Sequence, residues 1–268
     1  MYNEANPRPS SIFLSPHFDD VVYSCSGLLA QQAQDRGQHP LVITVCGGAP
    51  RLEEPISELA RRFHADMGLS RDISAQEMVG LRQREDGQVL HQLGVDHCWL
   101  EYPDAIYRGT PAFYPTLERL LSGDIHPDDC LLSEQLPYEL LSLHQRFPDI
   151  IWYAPLGIGR HIDHQLVSAA AIFLLWQGAH VIFYEDFPYV LREGQLGARL
   201  EELEIPLTPT LVDISDVLSL RIEATYGYPS QIAVNFGEPG RIPRAIAAYT
   251  SSLLAHAHAE RYWHPFHA

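Results

Sequence analysis

Apolar runs alternate along the chain with stretches of helical period, and the alternation predicts most of its elements. SIFLSP (11–16) reads as a buried strand and 19–37 as a helix with carboxylates in its first turn and glycine at its end. PLVITVCGG (40–48) is a second strand, rich in β-branched residues, and 73–95 a long amphipathic helix stopped near Gly94. HCWLEY (97–102) is a third strand, and 111–147 is ambiguous, best read as short helices in an insertion. DIIWYAPLG (149–157) and HVIFYEDF (180–187) read as strands flanking a helix over 161–178. TLVDIS (210–215) is a weaker strand, and helices over 216–235 and 241–259 close the pattern. The histidine-rich AHAHAERYWHPFHA (255–268) reads as a surface tail.

Strand–helix–strand alternation at this spacing predicts an α/β fold with a mostly parallel central sheet covered on both faces. Ligands of such sheets sit outside the carboxyl ends of the strands, so polar residues just after strands are the ones to examine.

Two segments stand there. Ser15-Pro16-His17-Phe18-Asp19-Asp20 follows the first strand, and Arg160-His161-Ile162-Asp163-His164 follows the one ending near 157. His161 and His164 share a helix face. Histidines and carboxylates from two separate loops suit a catalytic zinc, which takes three protein ligands and keeps one position open. Either segment alone has a plainer reading, since carboxylates are favoured in a helix's first turn and a chain with 14 histidines scatters some at H-x-x-H spacing. Two such segments, each directly after a strong strand, favour the metal. IHPDD (125–129) looks similar as a string but follows no strand, and reads as a helix-start turn.

Composition narrows the chemistry. The formal charge of −16 argues against a nucleic-acid phosphate track. None of the 18 basic residues is lysine, which removes Schiff-base chemistry and a P-loop. The four cysteines are widely spaced and read as reduced thiols. No apolar run is long enough to span a bilayer. The first ten residues lack a secretory pattern and read as a flexible tail, giving a cytoplasmic expectation. No interface pattern declares an oligomer.

The paired motifs Pro16-His17-Phe18-Asp19-Asp20 and His161-Ile162-Asp163-His164 resemble the signatures of the PIG-L/LmbE-like de-N-acetylase family. The resemblance extends through LRQRED, LGV and YPDA (81–105) to YEDFPY (184–189) and YPSQ (228–231), and covers roughly 11–264. It implies a Rossmann-like single domain over 11–264 and hydrolysis of an N-acetyl group from a glucosamine-type sugar. It implies one Zn2+ per chain, with another divalent transition metal as the alternative. By motif position His17, Asp20 and His164 would be metal ligands and Asp19 the general base. His161 would stabilise the oxyanion or protonate the leaving amine, and Asp163 would orient its histidine neighbour. Arg82 and Asp104 match sugar-binding positions. Glu185 and Asp186 are further candidates for sugar hydroxyls, with a structural tie to an arginine as the even alternative; Tyr228 to Gln231 line the pocket or only turn the chain. Two departures stand out: Val21 where the family often has glutamate, and Gly159 where some relatives have tyrosine. Hydrolysis of another amide or an ester, or sugar binding without catalysis, are the competing functions.

Overall fold

The computed structural model describes residues 8–51 and 56–266. Seven strands form one sheet: β1 (Ser11–Ser15), β2 (Pro40–Thr44), β3 (Asp96–Trp99), β4 (Ile151–Pro155), β5 (His180–Tyr184), β6 (Leu207–Asp213) and β7 (Ala259–Pro265). Ten α-helices accompany them among the described residues: α1 (Asp20–Gln34), α2 (Glu58–Asp66), α3 (Ala75–Leu93), α4 (Leu117–Leu120), α5 (Cys130–Arg146), α6 (Ile162–Trp176), α7 (Gln195–Glu202), α8 (Leu218–Tyr226), α9 (Pro229–Phe236) and α10 (Ile242–Leu253).

The strand order is β3-β2-β1-β4-β5-β7-β6, with the first five strands parallel and β7 antiparallel to both of its neighbours, β5 and β6. The sheet is mostly parallel with helices on both faces, as the alternation predicts. Strands covered on both faces are apolar throughout, and β1 and β2 are buried at every position. Starting at β1, the chain winds outward through β2 and β3, then returns to the other side of β1 for β4 and β5. The strand order therefore reverses between β1 and β4, where an open α/β sheet forms its ligand crevice.

Helix ends follow local chemistry. Ser74 and Glu77 form a reciprocal capping box at the start of α3, and Gly94 ends that helix at φ 72°. No described helix is long and apolar enough to cross a membrane.

Several expectations need correction. The C-terminal tail is instead β7, lying between β5 and β6 with Ala259, Glu260, Tyr262 and Trp263 buried; residues 267–268 lie outside the described ones. Its pairing with β5 and β6 is long-range, so charged and histidine residues mask a strand that only its neighbours specify. The ambiguous 111–147 holds a 17-residue helix, α5, which continues through Pro137. The helix expected over 216–235 breaks near Gly227, and α10 ends at Leu253. α2 and α7, each under ten residues, were not expected. Of the N-terminal tail, residues 1–7 lie outside the described ones; Pro9 is buried and the Ser10 N–H donates to the His39 carbonyl.

Candidate active site

β1 and β4 deliver the two motifs side by side at the switch point. His17, Asp19, Asp20, Arg82, Asp104 and His161 line one cavity of about 600 Å³ above them.

His17, Asp20 and His164 bring two ring nitrogens and a carboxylate oxygen within 4.8 Å of one another. Asp20 Oδ2 is 3.1 Å from His17 Nδ1 and 3.2 Å from His164 Nε2, and it accepts the His17 backbone N–H at 2.8 Å. The far nitrogen of each imidazole meets a second carboxylate. His17 Nε2 lies 2.9 Å from Asp163 Oδ2, and His164 Nδ1 lies 2.7 Å from Asp186 Oδ1. Carboxylate–histidine pairs of this kind fix ring orientation and tautomer for a metal. His164 Nε2 is buried and makes no hydrogen bond among the described residues. Burial alone would lower the His164 pKa, but the Asp20 and Asp186 carboxylates hold it up to about 10. A site that favours a proton this strongly favours a cation for the same reason. The donor set therefore fits a divalent metal ion with two nitrogen ligands and one oxygen ligand.

A second group, His17, Asp104, His161 and Asp163, is equally compact. It is the poorer cation site. Arg108 Nη1 lies 2.5 Å from Asp163 Oδ1, and the other Asp163 oxygen takes His17 Nε2 and the Ala105 N–H.

Asp163 thus contacts the ring of His17, 146 positions away, rather than only its sequence neighbour. Behind it, Arg108 reaches Asp129 Oδ2 at 3.0 Å, and Asp129 also accepts the Tyr114 hydroxyl. Asp129 ends the IHPDD string: no described metal group contains it, but it stands at the back of the histidine relay. Nothing local in the sequence pointed to Arg108, and the string that holds Asp129 was set aside because it follows no strand; both meet the site only through tertiary contact.

Asp19 ends the loop before α1 but caps nothing with its side chain. Its Oδ1 accepts from Arg82 Nη2 at 2.8 Å and its Oδ2 from Asn235 Nδ2 at 3.2 Å. Burial raises its pKa and outweighs the opposing pull of Arg82, with Asp20 adding to the rise. Phe18 has a purpose here, since the Arg82 guanidinium lies 5.3 Å from the centroid of its buried ring. Val21 is buried, and its N–H donates to Ser15 Oγ.

His161 is the residue before α6, and its Nδ1 accepts the Asp163 N–H at 3.2 Å. That bond leaves a neutral ring's proton on Nε2. Burial, helped by His17, lowers the His161 pKa well below its ordinary value.

Asp104 accepts the Ile106 N–H and stands 3.6 Å from His17 Nε2 and 3.7 Å from Arg82 Nη1. Glu85, the partner of Arg82 in the R-x-x-E string, holds the Ser230 N–H and hydroxyl, so YPSQ both turns the chain and sends Gln231 to the cavity wall.

Glu185 and Asp186 stand away from the position expected for sugar contacts, and neither lines the cavity. Glu185 takes Arg261, Trp263 and Tyr249 as donors, the structural alternative, because β7 lies beside β5. Asp186 Oδ2 accepts the Gly157 and Ile158 N–H groups, leaving Oδ1 for His164.

Tyr189 is a residue the sequence did not single out. A Cβ at Gly159 would fall 2.4 Å from Tyr189 Cδ1, so the ring fills the space a side chain at 159 would take. The Gly159 φ of 87° also suits glycine. Tyr189 lines the cavity, its ring edge-on to His164 with centroids 5.5 Å apart.

Residues 12–174 match the family model described as PIG-L, GlcNAc-PI de-N-acetylase. The chain is 35% identical over 188 residues to the 2'-N-acetylparomamine deacetylase of Niallia circulans, a match spanning 66% of this chain and 66% of that relative's length. It is 28% identical over 275 residues to the enzyme of the same description from Streptomyces fradiae, covering 96% and 90% of the two chains. Among solved structures it resembles the zinc-inhibited form of teicoplanin deacetylase Orf2, with a TM-score of 0.80 at 28% identity and coverage of 94% and 96%. With the family model matched across both motifs and the strands that carry them, the chain belongs to the PIG-L family of de-N-acetylases.

Proposed function

We propose that this protein hydrolyses the N-acetyl group of an N-acetylglucosamine-type sugar or sugar conjugate, releasing acetate and the free amine. The observation that carries the reading is the convergence of His17, Asp20 and His164, the first two of them on the cavity wall with Asp19. His17, Asp20 and His164 would hold a divalent metal, for which zinc suits the two-nitrogen, one-carboxylate donor set. Bound there, the metal supplies Lewis acidity to the acetyl carbonyl and lowers the pKa of a water.

The remaining work falls to side chains. Asp163 and Asp186 keep the two ligand rings in orientation from behind. Arg82 and Asn235 fix the Asp19 carboxylate, which keeps acceptor lone pairs for a further proton. Asp19 takes a proton from the attacking water, and its raised pKa brings it closer to the range where a base works at neutral pH. That proton is then available to the departing amine. Neutral His161, with its proton on Nε2, donates a hydrogen bond to the acetyl oxygen as charge develops there. Tyr189 offers a phenol to the same cavity. Arg82 and Asp104, both cavity residues, contact the sugar.

Two substitutions test the reading. Asp19→Asn lowers acetate release by about 10²–10⁴-fold with metal content unchanged. His164→Ala loses the metal along with turnover. Undiminished turnover in the first variant would remove Asp19 as base, and full metal occupancy in the second would remove His164 as ligand. Metal retained by the parent protein without acetate release from any N-acetyl sugar would favour another amide or ester. Sugar binding with neither metal nor turnover would favour a non-catalytic role.

A further inference from the structure

We infer that the half of the substrate left after deacetylation carries an apolar aryl or alkyl group and is not polycationic. The inference rests on the deacetylase reading for its placement and goes beyond it in naming the leaving half. It starts from the two unlike halves of the cavity.

On the floor every carboxylate is already engaged. Asp19 is held by Arg82 and Asn235, Asp20 faces the two imidazoles, and Asp104 takes the Ile106 N–H near Arg82. The walls are hydrocarbon. Phe63 and Met67 come from α2 and the residue after it, Leu117 and Leu121 from α4 and its end, Leu191 from the turn beyond β5, and Val234 from α9. Four separate parts of the fold thus send apolar side chains to one opening. Leu117, Leu191 and Val234 are 45%, 47% and 37% exposed there. Single exposed apolar residues are ordinary, but a group gathered at the mouth of a cavity marks a binding surface.

The charges at the mouth point the same way. Beyond the floor, the lining holds Arg62, Arg192 and one acid, Asp66. Asp66 stands 3.8 Å from Arg62 in an i,i+4 pair, and Arg192 lies 5.3 Å from the Tyr189 ring centroid. A polycationic aminoglycoside would set ammonium groups against two guanidinium groups and a leucine wall, with one carboxylate already paired. An apolar group gains by leaving water there, by roughly fourfold in binding per buried methylene.

The test compares kcat/KM for acetate release from N-acetylglucosamine, its phenyl and hexyl β-glycosides, and 2'-N-acetylparomamine, all with the metal-loaded protein. The apolar glycosides are expected to exceed N-acetylglucosamine by at least about tenfold, and to exceed acetylparomamine. Leu117→Glu combined with Leu191→Glu, at two half-exposed positions, brings the ratio of hexyl glycoside to N-acetylglucosamine towards one. Equal rates for apolar glycosides and N-acetylglucosamine, or a preference for acetylparomamine, would overturn the inference and leave the deacetylase reading standing. Calorimetric binding of hexyl β-glucosaminide and of paromamine supplies an arm that needs no turnover. If no substrate releases acetate, tighter binding of the hexyl glucosaminide still supports the apolar wall while the deacetylase reading fails. Tighter binding of paromamine overturns the wall's proposed role.

Discussion

At the scale of single residues, the candidate site works by dividing labour between adjacent carboxylates. Asp20 turns to the two imidazoles and Asp19 to Arg82 and Asn235. Their like charges are tolerated because each faces its own cationic or donor partners. Asp186 meets His164 and does not line the cavity. Asp186→Asn is therefore expected to weaken metal affinity about 10–100-fold, read by chelator competition, with kcat of the fully loaded enzyme changed less. Tyr189→Phe removes a hydroxyl but keeps the ring that fills the space beside Gly159. If that hydroxyl assists the acetyl oxygen, kcat falls about 10–100-fold with little change in thermal midpoint, whereas unchanged kcat assigns Tyr189 to packing alone. The histidines and aspartates of the site were legible from their places after strong strands. Arg108 and Asn235 were not, because each joins the site from a distant segment with no local pattern of its own, and Asp129 was read only as part of a helix-start turn.

At the scale of elements, the helix that carries Asp20 is not continuous. Cys25 has non-helical dihedrals (φ −143°, ψ 24°), which breaks the bond that would run from the Gly27 N–H to the Tyr23 carbonyl. Both freed groups find partners in one buried ion pair. Glu260 of β7 accepts the Gly27 and Leu28 N–H groups, one on each carboxylate oxygen. Arg221 of α8 donates to the Tyr23 carbonyl and meets Glu260 at 2.6 Å. Gly27 suits this position because a Cβ would fall 2.7 Å from Glu260 Oε1. Glu260→Gln leaves Arg221 buried without its counter-charge and one of the two N–H groups without an acceptor. A loss of about 3–5 kcal/mol is expected, measured by urea denaturation. A loss under 1 kcal/mol would show that the break in α1 needs no such repair. β7 was read as a tail, and the same strand carries this repair. Glu260 could not be recognised from sequence because Gly27, Leu28 and Arg221, the groups it serves in this repair, are more than 30 residues away.

At the scale of the whole molecule, Asp86 ties three elements together. It accepts from Trp99 of β3 and from the Tyr228 hydroxyl before α9, while itself lying in α3. Burial raises its pKa to about 7, against the opposing effect of those hydrogen bonds. With the folded value above the unfolded value near 3.8, the folded protein binds more protons between those limits. Stability from this group is therefore full below about pH 4 and falls as pH rises towards 7. Asp86→Asn removes that dependence. The difference in unfolding free energy between variant and parent is expected to shift in the variant's favour by about 2–3 kcal/mol from pH 5 to pH 8. A difference that does not change with pH would place the Asp86 pKa near its ordinary value.

Local pattern was enough to determine the parallel half of the sheet and the motifs at its carboxyl ends. Strands buried on both faces must be apolar throughout, and the helices between them must show a 3.6-residue period. It also set the order of elements in which two polar segments follow two strong strands. Only the tertiary structure decided that β1 and β4 are neighbours, which puts His17 and Asp20 within reach of His164. Long-range pairing likewise decided that Ala259–Pro265 forms an inner strand, that Glu185 belongs to that strand's support, and that Tyr189 occupies the space left by Gly159. In each case the specifying partner lies far along the chain, where periodicity and capping carry no information.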